Sequence, residues 1–211
     1  MRKEVLILTV ALLISLTGCG NTSSQAESYL EGKYGENFIF QGGSSGGIDS
    51  SATYWFTSDS LPDANIMVYR AGEEFRDNYT GVKYKEQTEQ LIRSMLTECF
   101  GPDVFVIYQV PNMQTGSGTT FEEYKKSAVI TYTAIVRYSL TDRDDAVKRL
   151  EEVTKRELGS GGATIYFDAD IDLSTLTSDN YYTAYLEKKL YDARLHTYMN
   201  DTSGFSDVEW Q

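Results

Sequence analysis

Apolar residues recur at helical spacing in four stretches of this chain, and at strand spacing between them. Ala26, Tyr29, Leu30 and Tyr34 share one face of a helix over about 25–34. Ser24 and Glu27 make a capping box before it, and Gly35 suits the position after its last turn. Tyr84, Leu91, Ile92, Met95, Leu96 and Cys99 form a stripe over about 83–100, stopped by Gly101-Pro102. Val147, Leu150, Val153 and Leu158 do the same over about 142–158, with Thr141 as N-cap, Asp142, Asp144 and Asp145 near the positive helix end and Gly159 at the stop. Tyr182, Leu186, Leu190 and Ala193 predict a fourth helix over about 179–199, begun by Ser178 or Asp179. Short aromatic and branched runs at 38–41, 52–57 and 65–70 read as strands. Val104–Val110 is apolar on both faces, which predicts a central strand. Over 129–140, Ile130, Tyr132, Ala134, Val136, Tyr138 and Leu140 alternate with Thr131, Thr133, Arg137 and Ser139. Over 164–172, Ile165, Phe167, Ala169 and Ile171 alternate with Tyr166, Asp168, Asp170 and Asp172.

The predicted order is α-β-β-β-α-β, a short helix, then β-α-β-α. It points to an α+β fold, a mainly antiparallel sheet with helices on one face. The segments CFGPDVFVIYQV and ELGSGGATIYFD both run from a helix-ending glycine into a strand, which hints at two similar α/β halves joined near 111–120. The expected organisation is a leader over 1–18, a polar tether over 19–25, a domain over 26–199 and a polar tail over 200–211.

The leader carries the most specific signal. Arg2 and Lys3 precede an uncharged 12-residue run, Val5–Leu16 (VLILTVALLISL). That is short of the roughly 20 residues that span a bilayer, and it fits the apolar region of a signal peptide. Leu16-Thr17-Gly18-Cys19 follows and resembles the lipobox of bacterial lipoproteins at all four positions. The resemblance implies removal of residues 1–18, a diacylglycerol thioether and fatty acylation at Cys19, and stable membrane anchoring through that lipid. Tyr29-Leu30-Glu31-Gly32-Lys33-Tyr34-Gly35-Glu36 and Asp77-Asn78-Tyr79 are similar to segments of small uncharacterised Gram-positive lipoproteins, over residues 25–100; that group brings no activity with it.

Composition narrows the rest. A net charge of −12 argues against nucleic acid, which needs Lys and Arg to displace counterions. Loss of residues 1–18 removes two cations and one anion, so the mature domain is more acidic still and is repelled by anionic headgroups. One histidine and two cysteines cannot build a Cys/His zinc site or a disulfide framework. With Cys19 lipidated, Cys99 is the remaining thiol, and its place on an apolar stripe predicts burial.

The candidate chemistry is thin. Gly42–Gly47 fits G-x-S-x-G twice, with Ser44 or Ser45 as nucleophile, but a strand follows where a nucleophile elbow needs a helix. A hairpin loop is expected instead. His196 is expected at the end of the fourth helix after Lys188, Lys189 and Arg194. Asp168, Asp170 and Asp172, with Ser174 and Asp179, track a calcium loop, yet Leu173 stands where its sharp turn needs glycine. The alternation explains the same aspartates as the wet face of a strand. Of the 16 tyrosines, Tyr181, Tyr182, Tyr185, Tyr191 and Tyr198 crowd the last helix, and Tyr181, Tyr185 and Tyr191 are candidates for an exposed partner-binding patch. Nothing calls for a cofactor. The expectation is a lipid-anchored extracytoplasmic, non-enzymatic binding module whose partner is an envelope protein, a peptide or a wall polysaccharide. The alternatives are a calcium-dependent module on Asp168, Asp170 and Asp172, or an envelope hydrolase whose carboxylates the sequence leaves unpaired.

Overall fold

The computed structural model describes residues 22–46, 51–111, 120–200 and 204–211. The leader and Cys19 lie outside them, as does most of the 111–120 stretch. The protein is α+β and divides into two compact units, one ending at Tyr79 and the other beginning at Thr80. The division is therefore not near 111–120. CFGPDVFVIYQV and ELGSGGATIYFD belong to one sheet of the second unit, not to two halves.

In the first unit, helix α1 (Thr22–Tyr34) is followed by strands β1 (Phe38–Gly46), β2 (Ser51–Ser58), β3 (Leu61–Ala71) and β4 (Glu74–Asp77), an antiparallel meander in that order. β4 is a strand the sequence pattern did not announce; its four residues are too few to show a period. Phe38, Ala52, Tyr54, Phe56, Ile66 and Val68 form a core with Ala26 and Leu30 of α1. Gly35 takes φ +71° and lets the chain turn out of α1 into β1, as expected of it. Asp77 closes the unit. Its buried carboxylate accepts hydrogen bonds from Tyr29 Oη (2.7 Å), Lys33 Nζ (2.7 Å), Tyr34 Oη (2.7 Å) and the Tyr79 amide (3.0 Å). One acid thus ties three side chains of α1 to the end of β4.

A short helix α2 (Tyr79–Lys83) begins on the last residue of the first unit and leads into α3 (Lys85–Phe100) of the second. Then come β5 (Val104–Tyr108), α4 (Phe121–Ser127), β6 (Val129–Val136), α5 (Arg143–Glu157), β7 (Ser160–Phe167), β8 (Ala193–Met199) and β9 (Phe205–Trp210). The sheet runs β5-β6-β7-β8-β9, antiparallel except for β6 and β7, which α5 joins as a parallel crossover. α5 begins at Asp142 rather than Thr141: the Asp142 carboxylate accepts from the Asp144 and Asp145 amides, each at 3.0 Å. Ile92, Met95, Leu96, Cys99 and Phe100 of α3, Tyr124 of α4 and Ala146, Leu150 and Val153 of α5 pack on one face of the sheet. They meet Ile130, Tyr132, Ala134, Val136, Ala163, Ile165, Phe167, Leu195 and Met199 there. Cys99 is buried as expected, and that burial with the neighbouring Glu98 charge pushes its thiol up to about 11, against the pull of Arg149 and Arg156.

Four predicted elements change character. The fourth helix is absent: over 179–199 there is one π-helical turn (Tyr182–Leu186), a left-handed residue at Lys189 (φ 52°), and then strand β8. Ala193, Leu195, Thr197 and Met199 face inward at period two, a pattern that the helical spacing of Tyr182, Leu186 and Leu190 disguised. The stretch expected as a polar tail holds strand β9, paired to β8. β5 is an edge strand; it is apolar on both sides because its second face is covered too, as described next. Gly42–Gly46, expected as a loop, is strand paired with Ser51–Trp55.

Candidate functional site

The second face of the five-stranded sheet is only partly covered. The register lays its residues out in rows across the strands. Phe105, Ile135, Tyr166 and Arg194 form one row. Over it folds the long connection from β7 to β8, which brings Ile171, Tyr185 and the partly buried Leu173, Leu176, Leu186 and Tyr191 against Phe105, Ile135 and Tyr166. Burial of that row is what makes β5 apolar on both sides.

The next row is left open and crosses all five strands: Ile107, Thr133, Thr164, His196 and Glu209. Beyond it lie Thr131, Gly162, Tyr198 and Asp207. All of these but the two β9 acids, Glu209 and Asp207, line a trough of about 230 Å³, with Gln109 at one end and Tyr181 as a wall. Tyr181 leans on Phe105 of β5, ring centroids 6.4 Å apart. On the other side the Tyr198 ring rests against Gly162, where a Cβ would stand 3.1 Å from Tyr198 Cδ2. Thr164 Oγ1 and His196 Nδ1 hydrogen-bond at 3.0 Å. None of the eleven lining residues is Asp, Glu, Lys or Arg, in a chain where those types make up 24%. The lining thus pairs aromatic rings with hydroxyl, imidazole and amide groups.

The order Thr164, His196, Glu209 has the composition of a hydroxyl–imidazole–carboxylate set, but not its geometry. The hydroxyl meets Nδ1, the nitrogen that the carboxylate holds in an acyl-transfer triad. β6, β7 and β8 are each paired on both sides, so the backbone amides beneath are committed to the ladder and cannot form an oxyanion hole.

The other sequence candidates sort out differently. His196 stands exposed on β8, not at a helix end. Tyr181, Tyr185 and Tyr191 do not form an exposed patch: Tyr185 is buried, 3% exposed, and the other two are half-buried. Tyr185 Oη donates to Asp168 at 3.1 Å, and burial with that carboxylate raises its pKa. Asp168, Asp170 and Asp172 follow β7 instead of lining its wet face. They share a cleft of about 410 Å³ with Asp192. Their carboxylates cap turns: Asp168 accepts from the Asp170 amide (2.9 Å), and Asp172 accepts from the Ser174 amide (3.0 Å) and hydroxyl (2.7 Å), which lower its pKa. Among the described residues no group of three or more His, Cys, Asp or Glu is arranged to hold a metal ion. Ser44 lies within β1 opposite Thr53, and the next described element is strand β2; Ser45 is its strand neighbour.

The trough was half legible. Thr131 and Thr133 read correctly as the face turned away from the core. Their alignment with Thr164 and His196 was not, because register between β6, β7 and β8 is a long-range property.

No protein-family model and no curated protein matches this sequence. Among solved structures it is similar to the crystal structure of a DUF5037 family protein from Ruminococcus gnavus ATCC 29149. The identity is 14% and the TM-score 0.38, over 89% of this chain and 95% of that one.

Proposed function

We propose that this protein is a lipid-anchored extracytoplasmic binding module, held by Cys19 and presenting the open face of its five-stranded sheet to a ligand at the cell envelope. The observation that carries the binding reading is the trough: an uncharged array of hydrogen-bonding side chains between two tyrosines, beside the part of the face that the β7–β8 connection covers. Concave sites with a few fixed polar groups are the default for ligand recognition. The anchor is supported by Leu16-Thr17-Gly18-Cys19 behind a basic and apolar leader. Among the described residues no helix is long and apolar enough to cross a membrane. An enzymatic reading is less favoured, since the one hydroxyl–imidazole contact lacks an oxyanion site.

Metabolic labelling with a palmitate analogue tests the anchor. The native chain is expected to incorporate label and migrate as the processed form. Cys19→Ala should abolish labelling and accumulate precursor. Undiminished labelling of Cys19→Ala would overturn the lipoprotein assignment.

A further inference from the structure

The geometry points to a neutral glycan as the ligand of the trough, an inference that rests on the binding reading above. Three features select this class. The first is charge. The lining is uncharged, while Glu209 and Asp207 stand at the β9 end of its two rows and the chain carries −12 overall. An anionic polymer would be repelled, and a cationic one would find no carboxylate on the trough floor.

The second is the kind of contact available. An extended peptide commonly binds a sheet by adding a strand to a free edge, through its own backbone hydrogen bonds. Here the floor strands β6, β7 and β8 are paired on both sides, and only the β5 side of the trough, with Ile107 and Gln109, adjoins a sheet edge. Over the floor, recognition runs through side chains standing off the face. Thr133, Thr164 and His196 stand side by side on adjacent strands, with Thr131 one step along β6 and Thr164 Oγ1 3.0 Å from His196 Nδ1, so a row of polar groups faces the hydroxyls of a ligand laid across them.

The third is the pair of rings. Tyr181 and Tyr198 bound the array, and each joins an apolar ring face to a polar tip. A pyranose has the matching character, with an apolar C–H face and a hydroxyl edge. Gly162 favours this placement of Tyr198: a Cβ there would stand 3.1 Å from both Tyr198 Cδ2 and Thr197 O, closer than such atoms ordinarily pack, so a larger residue would push against the ring. The open, shallow form of the trough fits a chain laid across it rather than a small molecule enclosed by it, for which pockets run from roughly 300 to 1,000 Å³.

The test uses the full-length lipidated chain in a detergent without a sugar headgroup. It is passed over immobilised chitohexaose and cellohexaose, over polygalacturonate as the anionic counterpart, and over a random decapeptide library. Retention on at least one neutral oligosaccharide is expected, with affinity at least tenfold weaker in Tyr198→Ala and in Tyr181→Ala. Tyr198→Phe, which keeps the ring and the fold, should stay within threefold of the native chain. If neither neutral oligosaccharide retains the native chain better than the double Tyr181→Ala, Tyr198→Ala variant, or if polygalacturonate binds more tightly, the glycan assignment is wrong. Peptide retention lost in Tyr198→Ala would overturn the glycan class and leave the trough as a binding surface. Glycan retention unaffected by Tyr198→Ala and Tyr181→Ala would remove the trough itself.

Discussion

Gly161→Ala is expected to unfold the second unit under conditions where the native chain is stable. Gly161 lies in β7, paired in parallel with β6 at Ile130. A Cβ built there stands 2.0 Å from the Ile130 carbonyl oxygen and 3.0 Å from its carbon. Both are backbone atoms of an adjacent strand, so no side-chain rotation relieves the clash; the strands must separate. Overpacking in a rigid interior costs about 1–3 kcal/mol and occasionally more, and a clash with backbone in the middle strand belongs at the upper end. Against a total of roughly 5–15 kcal/mol, a loss near 3 kcal/mol lowers Tm by about 10 °C for a unit of this size. Gly159 is tied in the same way, with a Cβ 2.0 Å from Lys126 O. It is glycine because of this close approach, not because α5 needs a left-handed cap. Gly32→Ala is the opposite control: nothing lies within 4 Å of its Cβ on α1, and a gain of about 0.5–1 kcal/mol is expected. Thermal denaturation of the three variants measures this directly.

Asp77→Ala should have the second large effect, confined to the first unit. The carboxylate is 2% exposed as a residue, and removing it takes the acceptor from Tyr29, Lys33, Tyr34 and the Tyr79 amide together. Breaking one side of a buried ion pair costs about 3–5 kcal/mol. Lys33 retains some contact with water, which places the expected loss near 3 kcal/mol. The same cluster gives the first unit an alkaline limit. Burial disfavours the Lys33 cation, but hydrogen bonds and charge from Asp77 and Tyr29 outweigh it, so its pKa lies above 10.5. Burial is the largest influence on Tyr29 and raises it above 10.0, with Asp77 adding to the rise and Lys33 opposing it. Groups with raised folded pKa values stabilise the fold fully below their unfolded values, and that stability is lost as pH climbs through the folded ones. The first unit should therefore hold to about pH 10 and weaken above it, and Asp77→Ala should flatten that dependence. The two tryptophans report separately, Trp55 on β2 of the first unit and Trp210 on β9 of the second. Fluorotryptophan resonances followed through urea at pH 8 and pH 11 resolve the two. Equal loss at both sites in Asp77→Ala would contradict the assignment.

What could be read in the sequence depended on how local its cause was. The stops of α1 and α3 were legible because Gly35 and Gly101 take left-handed φ values there. The start of α5 was legible to within a residue because a side chain two or three positions away satisfies the free amides. β8 and β9 were not legible. Thr197 is fully buried and polar, His196 and Tyr198 are large and face outward, and β9 is an edge strand of mostly exposed residues. Hydrophobic period is weak under those conditions. β5 misled for a related reason: Phe105 is apolar because the 168–192 connection folds over it, a contact no local window contains. The aspartates of that connection resembled a cation loop for the same reason that they serve as caps, since both uses need carboxylates beside free backbone amides.

The site follows this division. Each residue of the trough belongs to an unremarkable local pattern, and its chemistry arises from register, which stacks Thr133, Thr164 and His196 across three strands. His196 is the sole histidine of the chain, so one chemical modification reports on the trough alone. The most direct measurement of the account is the rate of carbethoxylation of His196 by diethylpyrocarbonate, followed by peptide mass. It is taken in the native full-length chain with and without a wall glycan fraction stripped of anionic polymers. A ligand lying in the trough covers the imidazole, so a rate at least fivefold slower is expected with saturating glycan. An unchanged rate would contradict it.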